Sequence, residues 1–407
     1  MKVVPDELVK QPDTSKGSHW GIAALLAALA MVSPFSIDTF YPSFPAISRE
    51  FSLSAWQIQQ TITVYMLPFA LMTLVQGPLS DALGRRPVVL VGLLVYSFAS
   101  VMCVFAPTFA LLLLFRALQG MSAGVGMSVG RAIIRDLHEG PQAQKLMSTI
   151  TMIFSIAPAI APVLGGWIHV WLGWRYVFGF MVLLGVSLAT MSYLLLPETH
   201  PFERRSRMDV GALSRTVLKV ASTREFMLYA LALGVTFSAM ITFIGAAPAI
   251  VMGHWHLGET QFAALFVPII CGILGGAWLS GRLAGKISGT KQIQIGYALA
   301  LTGGGLSVLL HATIAEPPLL LQQVLITTLA TGAQMMMPIY ALRMLDLFPE
   351  SRGAAASVQS CVMLGTGAIF MGAIVPAISY SMLTLSVGAF AAAFAGFVIF
   401  LLAWKKD

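Results

Sequence analysis

One carboxylate inside an otherwise apolar stretch is the residue of this sequence best placed to do chemistry. Asp38 lies within residues 33–45, whereas the other acidic residues, of 17 in the chain, fall in termini, connecting segments or the edges of apolar runs. Because an ionisable group in lipid costs roughly 2.5–3.5 kcal/mol on insertion scales, it usually faces a cavity and has a function. Such an acid can carry a proton. The alternative is that Asp38 merely ends its helix near the membrane surface, since Pro42 and Pro45 follow it.

Arg116 is the cation best placed to act together with Asp38. It lies seven residues into an apolar run that begins at Phe109. Because the protonation of a carboxyl group changes with its hydration and its distance from a cation, the two residues can form a proton switch. The alternative is that the guanidinium extends to the outer membrane surface. Arg131, near the inner end of the same run, is interpreted as a topology anchor.

The elements that must hold these residues are membrane-spanning helices. The chain has 407 residues, of which 57% are hydrophobic and 10% charged, whereas a soluble domain carries about 25% charged residues. Apolar runs of about 20 residues recur, which is the length of a helix that crosses a bilayer. They do not alternate as the strands of a barrel would. The sequence therefore predicts an all-α membrane protein.

Twelve spans are predicted, six in each half of the chain. They are residues 20–44, 56–79, 87–105, 109–133, 146–167, 174–196, 226–252, 262–283, 293–312, 319–342, 354–377 and 383–404. Residues 1–19 are expected to form a cytoplasmic tail and residues 197–225 a cytoplasmic linker between two six-helix bundles, 20–196 and 226–404. Such repeated halves are common in secondary transporters, which bind substrate between the repeats.

The distribution of charges and cysteines further limits the class of protein and its orientation in the membrane. Lys and Arg accumulate in alternate loops, which predicts that both termini are cytoplasmic. The net charge of +7 reflects this pattern, and no soluble basic domain that would favour nucleic acid is seen. The three cysteines lie far apart and predict neither a disulfide framework nor a metal site. No catalytic or nucleotide-binding motif is found, so neither enzyme activity nor a cofactor is predicted.

The loop between the second and third spans carries the most specific motif, Gly77-Pro-Leu-Ser-Asp-Ala-Leu-Gly-Arg-Arg-Pro87. Its second glycine permits a tight reversal, and its arginines favour a cytoplasmic position. The stretch resembles, position for position, the signature G-x-L-[SA]-D-x-x-G-R-[RK] of the major facilitator superfamily. In that family the loop is thought to latch one conformation through charge pairing. The resemblance implies that the latch consists of Gly77, Asp81, Gly84, Arg85 and Asp136.

Two further stretches resemble motifs of the same superfamily. Leu114-Phe-Arg-Ala-Leu-Gln-Gly120 is similar to its second motif, in which an intramembrane arginine lies close to the first helix. This resemblance implies that Arg116 is the counter-ion of Asp38. The stretch 157–166 resembles the motif of the antiporter members, although Ala161 replaces the usual glycine. Prolines and glycines there allow close packing and a hinge, and they correspond to Pro158, Pro162, Gly165 and Gly166.

Nearly the whole chain resembles the Bcr/CflA branch of that superfamily. Residues 36–45 look like its first-helix pattern S-I-D-M-Y-L-P-A-L-P, and Arg135-Asp136, Gly165-Gly166-Trp167 and Pro197-Glu198-Thr199 fall where its members have them. Members are bacterial inner-membrane proteins that export varied small molecules in exchange for protons. The resemblance implies a monomeric multidrug antiporter in which Asp38 carries the proton and the substrates are small, lipophilic, and neutral or cationic.

Aromatic and thioether side chains are candidates to line the substrate pocket, because they adapt to ligands of several shapes. The candidates are Phe35, Tyr41, Tyr65, Phe154, Phe243 and Met336. Each can equally be an ordinary packing residue. A proton-coupled uptake symporter or a metabolite exporter on the same fold remains the alternative function. A membrane enzyme or receptor is disfavoured by the lack of a matching motif.

Overall fold

The computed structural model describes residues 16–137, 140–205 and 209–404, and over these ranges the regular structure is helical. The helices are α1 (Lys16–Asp38), α2 (Phe44–Glu50), α3 (Ala55–Met72), α4 (Gln76–Leu83), α5 (Arg85–Val104), α6 (Phe109–Ala123), α7 (Val125–Leu137), α8 (Gly140–Leu172), α9 (Trp174–Leu195), α10 (Val210–Ser222), α11 (Arg224–Gly245), α12 (Ala263–Leu283), α13 (Gly289–Thr313), α14 (Leu319–Asp346), α15 (Arg352–Ile369), α16 (Val375–Ile378) and α17 (Met382–Ala403). Most of the expected tail, residues 1–15, lies outside the described residues.

The helices are long and apolar enough for a membrane protein. Within the described ranges, ten stretches meet the length and hydropathy of a membrane span, and the pair α3 and α4, bent by 52°, is an eleventh. The remaining predicted span corresponds to α8, whose apolar segment Ile156–Leu172 is shorter than the length required of a span. The prediction of an all-α membrane protein is confirmed.

The first predicted span is a broken helix. The helix α1 ends at Asp38, a short 3-10 turn covers Tyr41–Ser43, and α2 then begins at Phe44. Proline lacks an amide hydrogen, so Pro42 and Pro45 cannot donate to the preceding turn, and the two prolines fit only the beginnings of new helices. Asp38 is therefore a helix-terminal residue.

Neighbouring helices approach closely where glycine replaces a larger side chain. A Cβ atom at Gly120 of α6 would meet the backbone carbonyl of Tyr65 of α3, and one at Gly126 of α7 would meet the carbonyl of Leu29 of α1. Glycine is thus required at both crossings. In this way the helices that carry Asp38 and Arg116 are held at short distances from their neighbours.

The two halves of the chain touch through two glutamines at one end of the bundle, and near the other end Thr73 donates a longer hydrogen bond, of 3.5 Å, to the carbonyl of Ser357. The side chain of Gln59 on α3 donates a hydrogen bond to the carbonyl of Gly245 at 3.2 Å, and Gln60 donates to the carbonyl of Gly372 at 3.0 Å. At the other end, which we call the arginine-rich end, Arg85, Arg131, Arg135 and Arg352 line a cavity of about 520 Å³. We call this the larger cavity.

Candidate functional site

Asp38 is buried at the carboxyl end of α1, with 5% of its surface exposed. The helix α8 passes close by, because a Cβ atom at Gly165 would meet the backbone carbonyl of Thr39. Among the described residues, the Asp38 carboxylate has neither a hydrogen-bond donor nor an ion-pair partner within 4.0 Å. The carboxylate therefore lies in the protein interior without a compensating contact, an arrangement that disfavours a permanent anion.

Arg116 is completely buried, so the alternative that its guanidinium extends to the surface is wrong. Its Nη1 donates a hydrogen bond to the Ser36 carbonyl at 3.1 Å, and its Nε donates to the Thr61 carbonyl at 3.3 Å. The rings of Tyr65 and Phe40 lie 4.5 Å and 5.1 Å from its guanidinium carbon, at distances typical of cation–π contacts. Arg116 thus joins α6 to α1 and α3.

The direct pairing of Arg116 with Asp38 that the sequence predicts is not formed in this structure. Arg116 instead binds the carbonyl of Ser36, two residues before Asp38. The reason is that the last carbonyls of a helix lack intrahelical donors. The amide of Phe40, which would continue the helical pattern to Ser36, donates to Ile37 instead. Arg116 supplies the missing donor, and its Nη2 has no partner among the described atoms.

A buried polar network that the sequence did not predict continues from Arg116. The Oε1 of Gln119 accepts a hydrogen bond from Arg116 at 2.9 Å, and its amide nitrogen donates to Ser100 Oγ at 2.7 Å. The hydroxyls of Ser36 and Tyr96 share a hydrogen bond at 2.6 Å. A signal was available, because Gln119 follows Arg116 by three residues and so lies on the same helix face.

The structure brings together the charged residues of the predicted latch. Arg85 lies 2.5 Å from Asp81 and 3.1 Å from Asp136, and it donates to Ser80 Oγ at 2.6 Å. Gly77 and Asp81 also line the larger cavity. These contacts tie α4, α5 and α7 to one another at the arginine-rich end, although a latch function stays a prediction.

Glu198 extends this cluster and was not predicted as part of it. Its Oε1 accepts a hydrogen bond from the backbone amide of Arg85 at 3.0 Å, at the first residue of α5. Gly84 just before it has a φ of 98°, a conformation that favours glycine. A Cβ atom there would meet the side chains of Glu198 and Arg205. The only sequence signal for Glu198 was the resemblance of 197–199 to a family pattern.

The predicted pocket residues separate into one cavity residue and five buried ones. Phe154 lines a second cavity, of about 280 Å³, which we call the smaller cavity. The other five are buried and are not among the described residues that line either cavity: Phe35, Tyr41, Tyr65, Phe243 and Met336. In this structure they are packed in the interior, and a role in substrate binding stays a prediction.

Individual contacts show how these residues are packed. The ring of Phe35 lies 6.0 Å from that of Phe180, and the Tyr41 hydroxyl lies 3.9 Å from the sulfur of Met371. In the methionine run, Met337 and not Met336 lines the smaller cavity. Adjacent residues on a helix point about 100° apart, so one of them can face a cavity while the other is buried.

Arg131 has a position that the sequence interpretation as a topology anchor did not anticipate. Its exposed side chain lines both the larger and the smaller cavity, as do those of Met127 and Met147. Met337 faces the smaller cavity from the other half of the chain. Arg131 therefore lies at the junction of two cavities between the halves.

The proline and glycine residues of the predicted hinge lie in a continuous helix. Both Pro158 and Pro162 are inside α8. A Cβ atom at Gly166 would meet the carbonyl of Glu259 in the other half of the chain. Nearby, His169 Nε2 lies 3.6 Å from Glu259 Oε2. The glycines thus serve close packing, and a hinge function stays a prediction.

Possible metal ligands are dispersed over the described chain. In that part no group of three or more His, Cys, Asp or Glu side chains is placed to hold a metal ion. The three cysteines are free, with Cys103 buried and Cys271 exposed.

Comparisons with known proteins bear on the family. The family described as Major Facilitator Superfamily matches residues 26–372. The uncharacterized MFS-type transporter YdgK of Bacillus subtilis is 31% identical over 300 residues, which are 73% of this chain and 74% of that protein. The bicyclomycin resistance protein homolog of Haemophilus influenzae is 28% identical over 279 residues, 69% of this chain and 70% of that protein.

A comparison with solved structures bears on the fold. A D-xylose–proton symporter is similar with a TM-score of 0.72 and 15% sequence identity, over 95% of this chain and 98% of that chain. At this identity the likeness concerns the fold alone. The similarity extends over nearly all of the helices described above.

Proposed function

The chain belongs to the major facilitator superfamily and is a multi-pass membrane transporter, not an enzyme, and we propose that it exports small drug-like molecules in exchange for protons. The observation that carries the proposal is the buried Asp38 carboxylate, which has no donor among the described residues. A relative named as a bicyclomycin resistance protein homolog supports the substrate class. Energy would come from an ion gradient, as in other secondary transporters.

Asp38 would act as the proton carrier. An ionised carboxylate without a donor is costly in a protein interior, whereas a protonated one is tolerated much better. A change in its hydration or in the distance to a positive charge therefore binds or releases a proton. When Asp38 is accessible from the proton-rich side, it would take a proton as substrate leaves. When it faces the other side, the proton would leave as substrate binds.

Arg116 would contribute by holding the end of α1 in place. Its hydrogen bonds to the carbonyls of Ser36 and Thr61 fix α1 against α3. The guanidinium is thus held at the end of α1 that carries Asp38, but its hydrogen bonds go to backbone carbonyls and not to the Asp38 carboxylate. A rearrangement at the end of α1 would change the distance between the two groups and hence the protonation of Asp38.

Access to the site would alternate between the two ends of the bundle. The halves touch through Gln59 and Gln60 at one end, and the larger cavity lies at the arginine-rich end. Arginine and lysine accumulate on the cytoplasmic side of membrane proteins. We therefore propose that the arginine-rich end lies at the cytoplasmic face of a bacterial inner membrane. The protein would act as a monomer. Its two six-helix bundles, 20–196 and 226–404, would rock against each other and are joined by the linker 197–225.

The charge cluster at Arg85 would serve as the conformational latch. Arg85 is paired with Asp81 and Asp136 at the edge of the larger cavity. These pairs join three helices of one half, so that its cytoplasmic end moves as a unit. Motion of Pro158, Pro162 and the glycines after them in α8 would provide the hinge.

Transport in inside-out membrane vesicles tests this function. Vesicles with an acidic interior are given radiolabelled bicyclomycin, and an antiporter should accumulate it as protons leave. We expect Asp38→Asn to abolish this accumulation but to retain exchange of labelled for unlabelled bicyclomycin. Asp346→Asn, which changes an exposed acid at the end of α14, is the matched control and should behave as wild type.

Two outcomes would contradict the proposal. If Asp38→Asn accumulated bicyclomycin as well as wild type, Asp38 would not carry the proton. If wild-type vesicles expelled the label together with protons, the chain would be a symporter. The second outcome is a real alternative, because a proton symporter shares this fold.

A further inference from the structure

The smaller cavity is an apolar chamber with one charged group in its wall. Its described lining includes Leu26 and Ala30 of α1, Phe154 of α8 and Met337 of α14. Among the described residues that line it, Arg131 is the one that carries a charge. A volume of about 280 Å³ is close to the lower end of the range for ligand pockets, roughly 300–1,000 Å³. Such pockets are mostly apolar, with a few polar groups that orient the ligand.

The guanidinium of Arg131 is available to a ligand. Its Nε donates to the carbonyl of Met127, one turn earlier on α7, at 3.2 Å. Among the residues that the structure describes, it has no ion-pair partner within 4.0 Å. Its side chain is exposed at a place where both cavities meet. An arginine that only anchored the topology would be expected at the lipid headgroups and not between the halves.

The larger cavity adds to the positive potential. Its described lining contains four arginines and one aspartate. Arg85 is neutralised by Asp81 and Asp136, and Arg352 lies 3.7 Å from Asp346. Arg131 and Arg135 remain without an ion pair in the described part of the chain. A cleft lined by one sign of charge concentrates ligands of the opposite sign and repels like charges.

We propose that Arg131 binds an anionic group of the substrate while the apolar body of the substrate occupies the smaller cavity. Arginine suits this role because its planar guanidinium can donate two parallel hydrogen bonds to a carboxylate or phosphate. The substrates therefore include amphipathic organic anions, in addition to the neutral or cationic molecules that the sequence predicts. The inference rests on the proposed function only in taking the exported substrate from this cavity.

Binding of three small ligands with one apolar body tests the inference. Purified protein in nanodiscs is titrated with radiolabelled 2-naphthoate, 2-naphthamide and 2-naphthylmethylammonium, whose charges are negative, neutral and positive. We expect 2-naphthoate to bind about tenfold more tightly than the amide, because hydrogen bonds to charged groups are the stronger ones. The ammonium should bind most weakly.

Variants of Arg131 should change the order of the three affinities but not the contribution of the naphthalene ring to binding. Arg131→Gln should lower the affinity for 2-naphthoate about tenfold and leave that for 2-naphthamide unchanged. Arg131→Lys should retain part of the preference, and Arg131→Glu should reverse it in favour of the ammonium. Arg215→Gln is the matched control and should bind as wild type, because Arg215 is an exposed arginine of α10 whose Nε also donates to the carbonyl one turn earlier, that of Gly211 at 3.2 Å, and it is not among the described residues that line either cavity.

Three results would overturn the inference. The first is that the wild-type protein does not bind 2-naphthoate, and the second is that it binds all three ligands equally. The third is that Arg131→Gln lowers the affinities for 2-naphthoate and for 2-naphthamide by the same factor. Because binding is measured without a pH gradient, these results are independent of proton exchange. A failure of the Asp38 experiment would therefore be distinguishable from a failure of this one.

Discussion

Arg116 donates a hydrogen bond from its guanidinium to the backbone carbonyl of Ser36 at 3.1 Å, on the last turn of α1. That carbonyl has lost its helical donor, because the Phe40 amide binds Ile37. A second bond from Arg116, to the Thr61 carbonyl, joins this turn to α3. The position of Asp38, the last residue of α1, therefore depends on Arg116 even though the two side chains do not pair.

Replacement of Arg116 by lysine should destabilise the protein. An ammonium cannot serve the carbonyls of Ser36 and Thr61 in the fixed geometry of a guanidinium, nor stack on the Tyr65 ring. Loss of such buried charged hydrogen bonds costs about 1.5–3 kcal/mol. We expect a lower midpoint of thermal unfolding for Arg116→Lys in detergent. Arg352→Lys changes an exposed pair with Asp346 and should cost less than about 1 kcal/mol. An equal shift in both variants would contradict the prediction.

Removal of one acid from the Arg85 cluster should slow transport without weakening substrate binding. Asp136→Asn leaves Arg85, whose side chain is only 7% exposed, with a weaker partner. A change of about 1–2 kcal/mol shifts a conformational equilibrium roughly 5- to 30-fold. We expect a lower rate of exchange in vesicles at unchanged affinity. Asp81→Asn should have a smaller effect, because Asp81 is 45% exposed.

The control for this cluster is an exposed ion pair in the other half of the chain. The side chains of Arg352 and Asp346 are 62% and 72% exposed. Exposed pairs contribute about 0–1 kcal/mol, so Asp346→Asn should transport as wild type. A latch is excluded if Asp136→Asn loses substrate affinity as strongly as it loses rate.

Two glycines with the same backbone conformation allow the effect of backbone strain to be distinguished from that of a side-chain contact. Gly84 and Gly173 both have a φ of 98°, where a non-glycine residue costs of order 1–3 kcal/mol. Nothing lies within 4 Å of a Cβ at Gly173, whereas one at Gly84 would displace Glu198 from the amide of Arg85. We therefore expect Gly84→Ala to lower thermal stability more than Gly173→Ala. Equal losses would show that strain alone acts at Gly84.

The helices could be predicted from the sequence because the bilayer fixes their length and hydropathy. The sequence predicts the sixth span at 174–196, and the structure has a helix at Trp174–Leu195. Agreement is poorest where prolines break a run, as after Asp38, where the apolar pattern continues although the helix ends. Hydropathy indicates whether a segment lies in lipid or in water, but it does not indicate where the backbone hydrogen bonds of a helix are interrupted.

The site could be predicted only in part because composition does not determine how a helix is rotated. Met336 and Met337 are identical in type and adjacent, yet one is buried and the other faces the smaller cavity. Arg131 has the sequence context of a topology anchor and lines both cavities. The motif at 77–87, by contrast, indicated correctly that Asp81 and Arg85 meet, because these two residues are only four positions apart along the chain.

The contact between the halves at the end opposite the arginines yields the last prediction. Gln60 donates a hydrogen bond to the Gly372 carbonyl, and Gln59 donates to the Gly245 carbonyl. Each such bond contributes about 0.5–1.5 kcal/mol, and its loss leaves a carbonyl unpaired. We therefore expect Gln60→Ala, and more strongly the double change with Gln59→Ala, to favour the state that is open at this end.

Spin labels across this end measure the shift, because opening should increase their separation. Labels placed on cysteines at Trp56 and Ala315, which lie in different halves, should show a larger population of long distances in both glutamine variants. Gln57→Ala is the matched control, since the contacts of Gln57 with Ser54 stay within the start of α3. The control should keep the wild-type distances, because it removes a helix cap but no bond between the halves. If the Gln60→Ala distances matched those of the control, the cross-half hydrogen bonds would contribute nothing to closure at this end.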